Sequence, residues 1–177
     1  MIHMEIVVLG EPVLRKKAEK VIRFDEDLRR LVARMFKAMY EGGETGGVGL
    51  AAPQIGISKS LFVYDIGGKS GVMINPKIVS HSKETEVGEE GCLSVPGVYG
   101  PVERYKWVVV EYQDVAGKKK KEKFVDFDAR VVQHEMDHLQ GILFIDKITD
   151  WSLVDVRPFA FKYPTVVKLL EDKGVLR

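Results

Sequence analysis

His134-Glu135-Met136-Asp137-His138 has the form H-E-x-x-H. In a helix, residues four apart lie on one face about one turn apart, so two imidazoles at this spacing can reach one ion. Glu135 then sits about 100° around the axis from His134, where it can address a water beside the ion instead of ligating it. The chemistry this implies is metal-dependent hydrolysis of an amide, with Glu135 as the proton-handling residue. Two histidines four apart also arise by chance, so the third ligand decides more. A metzincin continuation would need a histidine where Phe144 stands, which closes that route. A thermolysin-like site would need a downstream glutamate, and Glu171, in the tail, is the only one after His138.

The remaining soft ligand is Cys92, the chain's one cysteine, within Glu89-Glu90-Gly91-Cys92-Leu93-Ser94-Val95-Pro96-Gly97. A lone cysteine is commonly a small buried hydrophobe. This one lies in what reads as a glycine- and proline-bounded loop after two glutamates, where packing alone gives little reason for burial. Cys92, His134 and His138 make three protein ligands for one divalent ion and leave a coordination position open, as catalytic sites do. Phe127, Val131, His134 and His138 fall at i, i+4, i+7 and i+11 of the same stripe, so an apolar wall runs along the helix away from the ion. Plain core packing is the alternative reading of Phe127 and Val131. Gly47-Val48-Gly49-Leu50-Ala51-Ala52 has the outline of a dinucleotide fingerprint, but a helix and a glycine-rich turn precede it, Pro53 follows, and no phosphate-loop lysine is present.

These groups need elements to hold them. Residues 25–39 read as a helix, with Leu28, Leu31, Val32, Met35, Phe36 and Met39 on one 3.6-residue stripe, Asp25 as N-cap and Gly42-Gly43 as the stop. Residues 127–140 read as the second main helix, with Asp126 as N-cap and Gly141 as the residue that ends it. Glu5–Leu9 reads as a short strand or extended start. Leu61–Asp65, Val72–Ile74, Lys77–Ser80 and Trp107–Tyr112 read as strands, the last turning through Val115-Ala116-Gly117 into Lys118–Val125. The lysine-rich run in that return suits a solvated hairpin edge better than a nucleic-acid contact. The tail from Trp151 carries Pro158 and Pro164, then a short helix around Val166–Glu171. One α+β domain over residues 1–177 is the simplest organisation.

Composition narrows the class. The chain has 177 residues and a net charge of +1, so no global field points to DNA or to a membrane surface. A single cysteine allows no internal disulfide, which fits a reducing compartment. No apolar run is long enough to span a bilayer, and the start has neither signal-peptide nor transit-peptide character, so the cytoplasm is the expected location.

Three segments taken together resemble the peptide deformylase family: GVGLAAPQ at 47–54, EGCLS at 90–94 and QHEMDH at 133–138. The resemblance implies an α+β fold of antiparallel β-sheets around a central HExxH-bearing helix, with an N-terminal amphipathic helix. It implies removal of the formyl group from N-formyl-methionyl nascent peptides, with transient contact with the ribosome. It implies Fe(II) as the native ion, with Zn, Ni or Co able to occupy the site. The implied ligands are Cys92, His134 and His138, and Glu135 is the implied general base and acid. Gln54 and the backbone N–H of Leu93 match donors to the oxyanion, Gly49 matches a backbone contact to substrate, and Phe127 and Val131 match pocket positions. Val48 is a further candidate at the pocket mouth. The tail from Trp151 to Arg177 is mixed in charge and does not resemble the basic helix of many relatives. Rival readings are a cysteine hydrolase using Cys92, a general HExxH peptidase and a metal-stabilised binding module. A chelator, an unformylated peptide and the presence of Glu135 beside an open ligand position discriminate against each in turn.

Overall fold

The structure is a computed structural model and describes residues 5–43 and 46–176. Helix α1 (Glu26–Glu41) is capped by Asp25, whose side chain accepts from the Leu28 N–H at 3.1 Å. Leu28, Val32, Met35 and Met39 are buried and Leu31 and Phe36 pack at the margin, which is the expected stripe extended by Ala38.

Among the described residues eight strands follow: β1 (Gly49–Ala51), β2 (Leu61–Ile66), β3 (Lys69–His81), β4 (Thr85–Cys92), β5 (Val95–Tyr105), β6 (Trp107–Gln113), β7 (Lys119–Val125) and, in the tail, β8 (Asp155–Val156). They form two antiparallel sheets, one ordered β1-β2-β3-β6-β7 and one ordered β4-β5-β8. Helix α2 (Asp126–His138) packs against strands of both. The period-two alternation of β2 shows how. Leu61 and Val63 point toward α1, while Phe62, Tyr64 and Ile66 point toward α2. A third apolar cluster sits under β5 and takes in Leu14, Val95, Val98, Phe144, Val166 and Leu170. The last two belong to α3 (Pro164–Asp172), the short tail helix.

Several expectations shift. Val72–Ile74 and Lys77–Ser80 are one strand, β3, irregular between Ile74 and Lys77. Asn75 occupies that kink at φ +51°, and its side chain exchanges two 2.9 Å hydrogen bonds with the Val21 backbone. The stretch expected as a loop around Cys92 is the tight end of the β4–β5 hairpin, so Cys92 closes a strand. Glycine and glutamate give β4 little strand character of its own; pairing along β5 imposes it. Asp126 is not the N-cap of α2. Val125 stands there without a side-chain cap, because β7 runs straight into the helix. Asp126 absorbs the sharp turn at φ +57°, a region aspartate tolerates better than most residues. The Glu5–Leu9 segment joins no sheet; its extended part is tied to two turns beside the sheets, Val7 N–H donating to Gln54 O after β1 and Leu9 N–H to Ser94 O in the β4–β5 turn, each at 2.8 Å.

Helix α2 ends at His138, two residues short of the expected end, with Leu139 at its C-cap, and Gly141 turns the chain just beyond. At φ +75° its N–H reaches His138 O at 3.1 Å, and a Cβ there would stand 2.5 Å from the Arg15 carbonyl oxygen. Gly141→Ala therefore meets both a disfavoured backbone and a backbone clash. We expect it to lower the urea-unfolding free energy by about 2–4 kcal/mol. A loss under 1 kcal/mol would contradict the close packing of this turn on the helix end.

Candidate metal centre

Helix α2 is pinned before it presents its histidines. Gln133, one residue earlier, takes the Tyr105 N–H at 3.0 Å and gives its own amide to Tyr105 O at 2.9 Å. This fixes the roll of the helix against β5. His134, Glu135 and His138 are then buried on the side facing the end of β4. The ligand atoms of Cys92, His134 and His138 all lie within 4.8 Å of one another, with Cys92 Sγ 3.3 Å from His138 Nε2. A thiol and two imidazoles on that scale are a donor set for Fe, Zn, Co or Ni and a poor one for Mg or Ca.

A cation fits the electrostatics of the trio. In the metal-free site, burial disfavours charge on His134, but hydrogen bonds to Cys92 and Glu90 outweigh it and hold His134 protonated well above its ordinary range. Burial, with the nearby charges of His134 and Arg104, holds His138 neutral. The cluster thus already harbours one positive charge between Cys92 and the helix, where an ion would replace the proton.

Sequence reasoning missed what steadies His134. Its Nδ1 meets Glu90 Oε1 at 2.8 Å. Glu90 is 6% exposed and is forked onto Arg104, Nε to Oε2 at 2.8 Å and Nη2 to Oε1 at 2.9 Å. Arg130 reaches the same carboxylate at 2.8 Å, and Arg104 also holds Asp137 at 2.6 Å, which Lys147 meets at 3.0 Å. Burial pushes the Glu90 carboxyl up, but the bonds and charges of Arg104 and His134 prevail and keep it well below the usual carboxylate range. The only signal in the sequence was the doubled glutamate before Cys92; nothing marked Arg104.

Glu135 is different. It is 4% exposed, and its Oε1 has no hydrogen-bond partner among the described residues. Burial raises its pKa to about 7 against the pull of the His134 charge. Gly49 makes room for it, since a Cβ there would lie 2.6 Å from Glu135 Oε2. Gln54 is held by the Ala51 N–H, which donates to its Oε1 at 2.9 Å. Its Nε2 points at Ser94 Oγ (3.1 Å) and Cys92 Sγ (3.4 Å). Val48, Gly49, Gln54, Cys92, Leu93, Phe127, Val131, His134 and Glu135 line one cleft of about 250 Å³; His138 lies behind it in the ligand cluster. Within the wall, Val131 is buried and Phe127 and Val48 stay exposed at the mouth. Phe159, from the tail, lines the same cleft and had not been expected there.

The polypeptide deformylase family model matches residues 3–153. The chain belongs to that family. The peptide deformylase of Pseudothermotoga lettingae is 55% identical over 144 residues, 81% of this chain and 82% of that protein. The crystal structure of the Thermotoga maritima peptide deformylase has a TM-score of 0.77 at 48% identity and covers 82% of this chain and 97% of its own. That of a Synechococcus elongatus peptide deformylase, in complex with actinonin, has a TM-score of 0.80 at 40% identity and covers 96% and 85%. Membership of this deformylase family, a metal-dependent one, agrees with the Cys/His/His cluster. No helix among the described residues is long and apolar enough to cross a membrane.

Two predictions follow from the geometry. Glu90→Gln keeps the shape but removes the charge that orients His134. Metal affinity in a chelator competition should drop about 10–100-fold, as for other outer partners of ligating histidines. The second concerns Glu135. The folded, metal-free protein keeps this proton up to about pH 7, while the unfolded chain releases it near 4.5. Stability from this group is therefore full below 4.5 and is lost as pH rises through 7, by roughly 3 kcal/mol. In urea titrations at pH 5 and pH 8, metal-free wild type should lose about 2.5 kcal/mol more than Glu135→Gln; parallel pH profiles would count against the buried carboxyl.

Proposed function

We propose that the protein removes the formyl group from the N-terminal formyl-methionine of newly made polypeptides, releasing formate. The observation that carries this reading is Glu135, a buried carboxyl at the Cys92–His134–His138 cluster with an oxygen that no group among the described residues satisfies. Cys92, His134 and His138 would hold one divalent ion, with Fe(II) as the native choice and Zn, Ni or Co able to replace it. When bound, such an ion supplies the Lewis acidity that brings the pKa of water from about 15.7 toward neutrality.

The chain's own groups do the rest. Glu135 takes a proton from the attacking water and later gives it to the leaving amine nitrogen, the product N-terminus. In the metal-free protein burial raises its pKa, the direction a group that must also hold the proton needs. The Gln54 amide and the Leu93 backbone N–H donate to the formyl oxygen as it gains charge, each such donor being worth about 10²–10³ in rate. The Gly49 backbone, which lies against Glu135, is positioned to contact the substrate main chain. The methionine side chain lies along Val131 and Phe127, with Val48 at the mouth. A thioether suits an apolar slot of this kind. A single domain is needed for this, since both sheets and α2 supply one cleft. The reading carries with it a cytoplasmic setting and a transient meeting with the ribosome, where formylated chains are made.

The test is formate release from formyl-Met-Ala-Ser. Glu135→Ala should keep its ion by metal analysis and lose about 10²–10⁴-fold in turnover. A chelator should stop the wild-type protein; survival of activity would favour a cysteine hydrolase. Cleavage of unformylated peptides would favour a general peptidase.

A further inference from the structure

We propose that the C-terminal segment builds an additional wall of the substrate cleft, in which Phe159 contacts peptide side chains downstream of the formyl-methionine. The inference rests on the deformylase reading and deepens it. The segment lies beyond residue 153, where the family match ends, so the family pattern assigns it no part in the cleft.

The tail is built onto the cleft edge. Strand β8 pairs with β5 through Val98↔Val156 and Tyr99↔Asp155. The next residue, Arg157, donates its N–H to Gly97 O at 2.7 Å. The turn Pro158–Lys162 then seats flush on β5, because Gly97, at φ +80°, has no Cβ; one built there would stand 2.6 Å from Ala160 Cβ. Ala160 is fully buried, and behind it α3 sends Val166 and Leu170 into the cluster under β5. Phe159 is thus anchored through its neighbour on one side and Gly97 on the other. Its ring is only half-buried, and the open part faces the cleft that contains Cys92, His134 and Glu135.

Tyr99 continues this wall. The Arg157 guanidinium lies 5.7 Å from the centre of its ring and is itself paired with Asp155 at 3.0 Å. The charge is therefore answered within the tail, and what the tail and Tyr99 offer to the cleft is aromatic, beside the Glu89 and Arg130 that also line it. The proposed mechanism uses the ligand cluster, Glu135 and Gln54 for the formyl group, and Val131 and Phe127 for methionine. A peptide leaving that point has the remaining lining to meet, which includes Pro96, Tyr99 and Phe159. An apolar or aromatic side chain in the second or third residue is the chemistry this surface recognises.

The experiment compares formate release from formyl-Met-Phe-Phe-amide and formyl-Met-Ala-Ala-amide by the metal-loaded protein. Wild type should favour the aromatic peptide. In Phe159→Ala the ratio of the two kcat/KM values should fall about tenfold, through KM, as expected when one apolar contact is lost. Phe159→Leu should keep an intermediate ratio, and it carries the test should the alanine variant fail to fold. Phe159→Asp should reverse the preference toward formyl-Met-Lys-Lys-amide. Wild-type turnover with a ratio that none of the folded variants moves overturns the inference alone. Formate release from neither peptide by wild type overturns the deformylase reading and this inference with it.

Discussion

A carboxylate buried among cations is the constraint on which the site depends. Glu90 touches Arg104, Arg130 and His134. It thereby joins β4, which ends at Cys92, to α2, which carries both histidines. Such a cluster gives little net stability, because desolvation cancels most of the attraction. Its value is directional. Removing one member strands a charge in the interior at a cost of about 3–5 kcal/mol, so the members hold one another in a single arrangement. His134 is turned by that arrangement, with Nδ1 committed to Glu90 and the other nitrogen left for the cluster.

Around this, small residues do as much as large ones. Gly49 admits Glu135, Gly97 admits the tail, and Gly141 lets α2 stop against the backbone of Arg15. Each is a place where two backbones, or a backbone and a functional side chain, come closer than a methyl group would allow. Gln54 is positioned by equally local means, one hydrogen bond from Ala51 and the Val7 bond to its carbonyl. The extended start of the chain thus braces a residue that the cleft uses.

What could be read from the sequence was whatever has a local period or a local motif. The α1 stripe, the H-E-x-x-H helix and the β6–β7 hairpin announce themselves within about a dozen residues. The family pattern then collected Gln54, Cys92 and Glu135 from three separate segments, and the structure sets all three at one cleft. Features created by pairing across the chain were silent. Strand β4 has a weak composition and exists because β5 lies beside it. Arg104 is one arginine among many until Glu90 and Asp137 close on it. Asp126 looked like a cap because aspartate precedes an apolar run; the abrupt passage from β7 into α2 gave it a left-handed backbone instead.

The placement of the proposed ligands has a mechanical consequence. Cys92 and His138 are 46 residues apart, one on a strand end and one on the helix that carries the chemistry. An ion held between them is a cross-link as well as a reagent. Closing a loop of that length in the unfolded chain is worth about 4 kcal/mol in the chain-entropy picture used for covalent bridges. Loss of such an ion would therefore undo a fastening between β4 and α2 as well as remove the proposed reagent. Chelation would then be felt by the fold as well as by the chemistry.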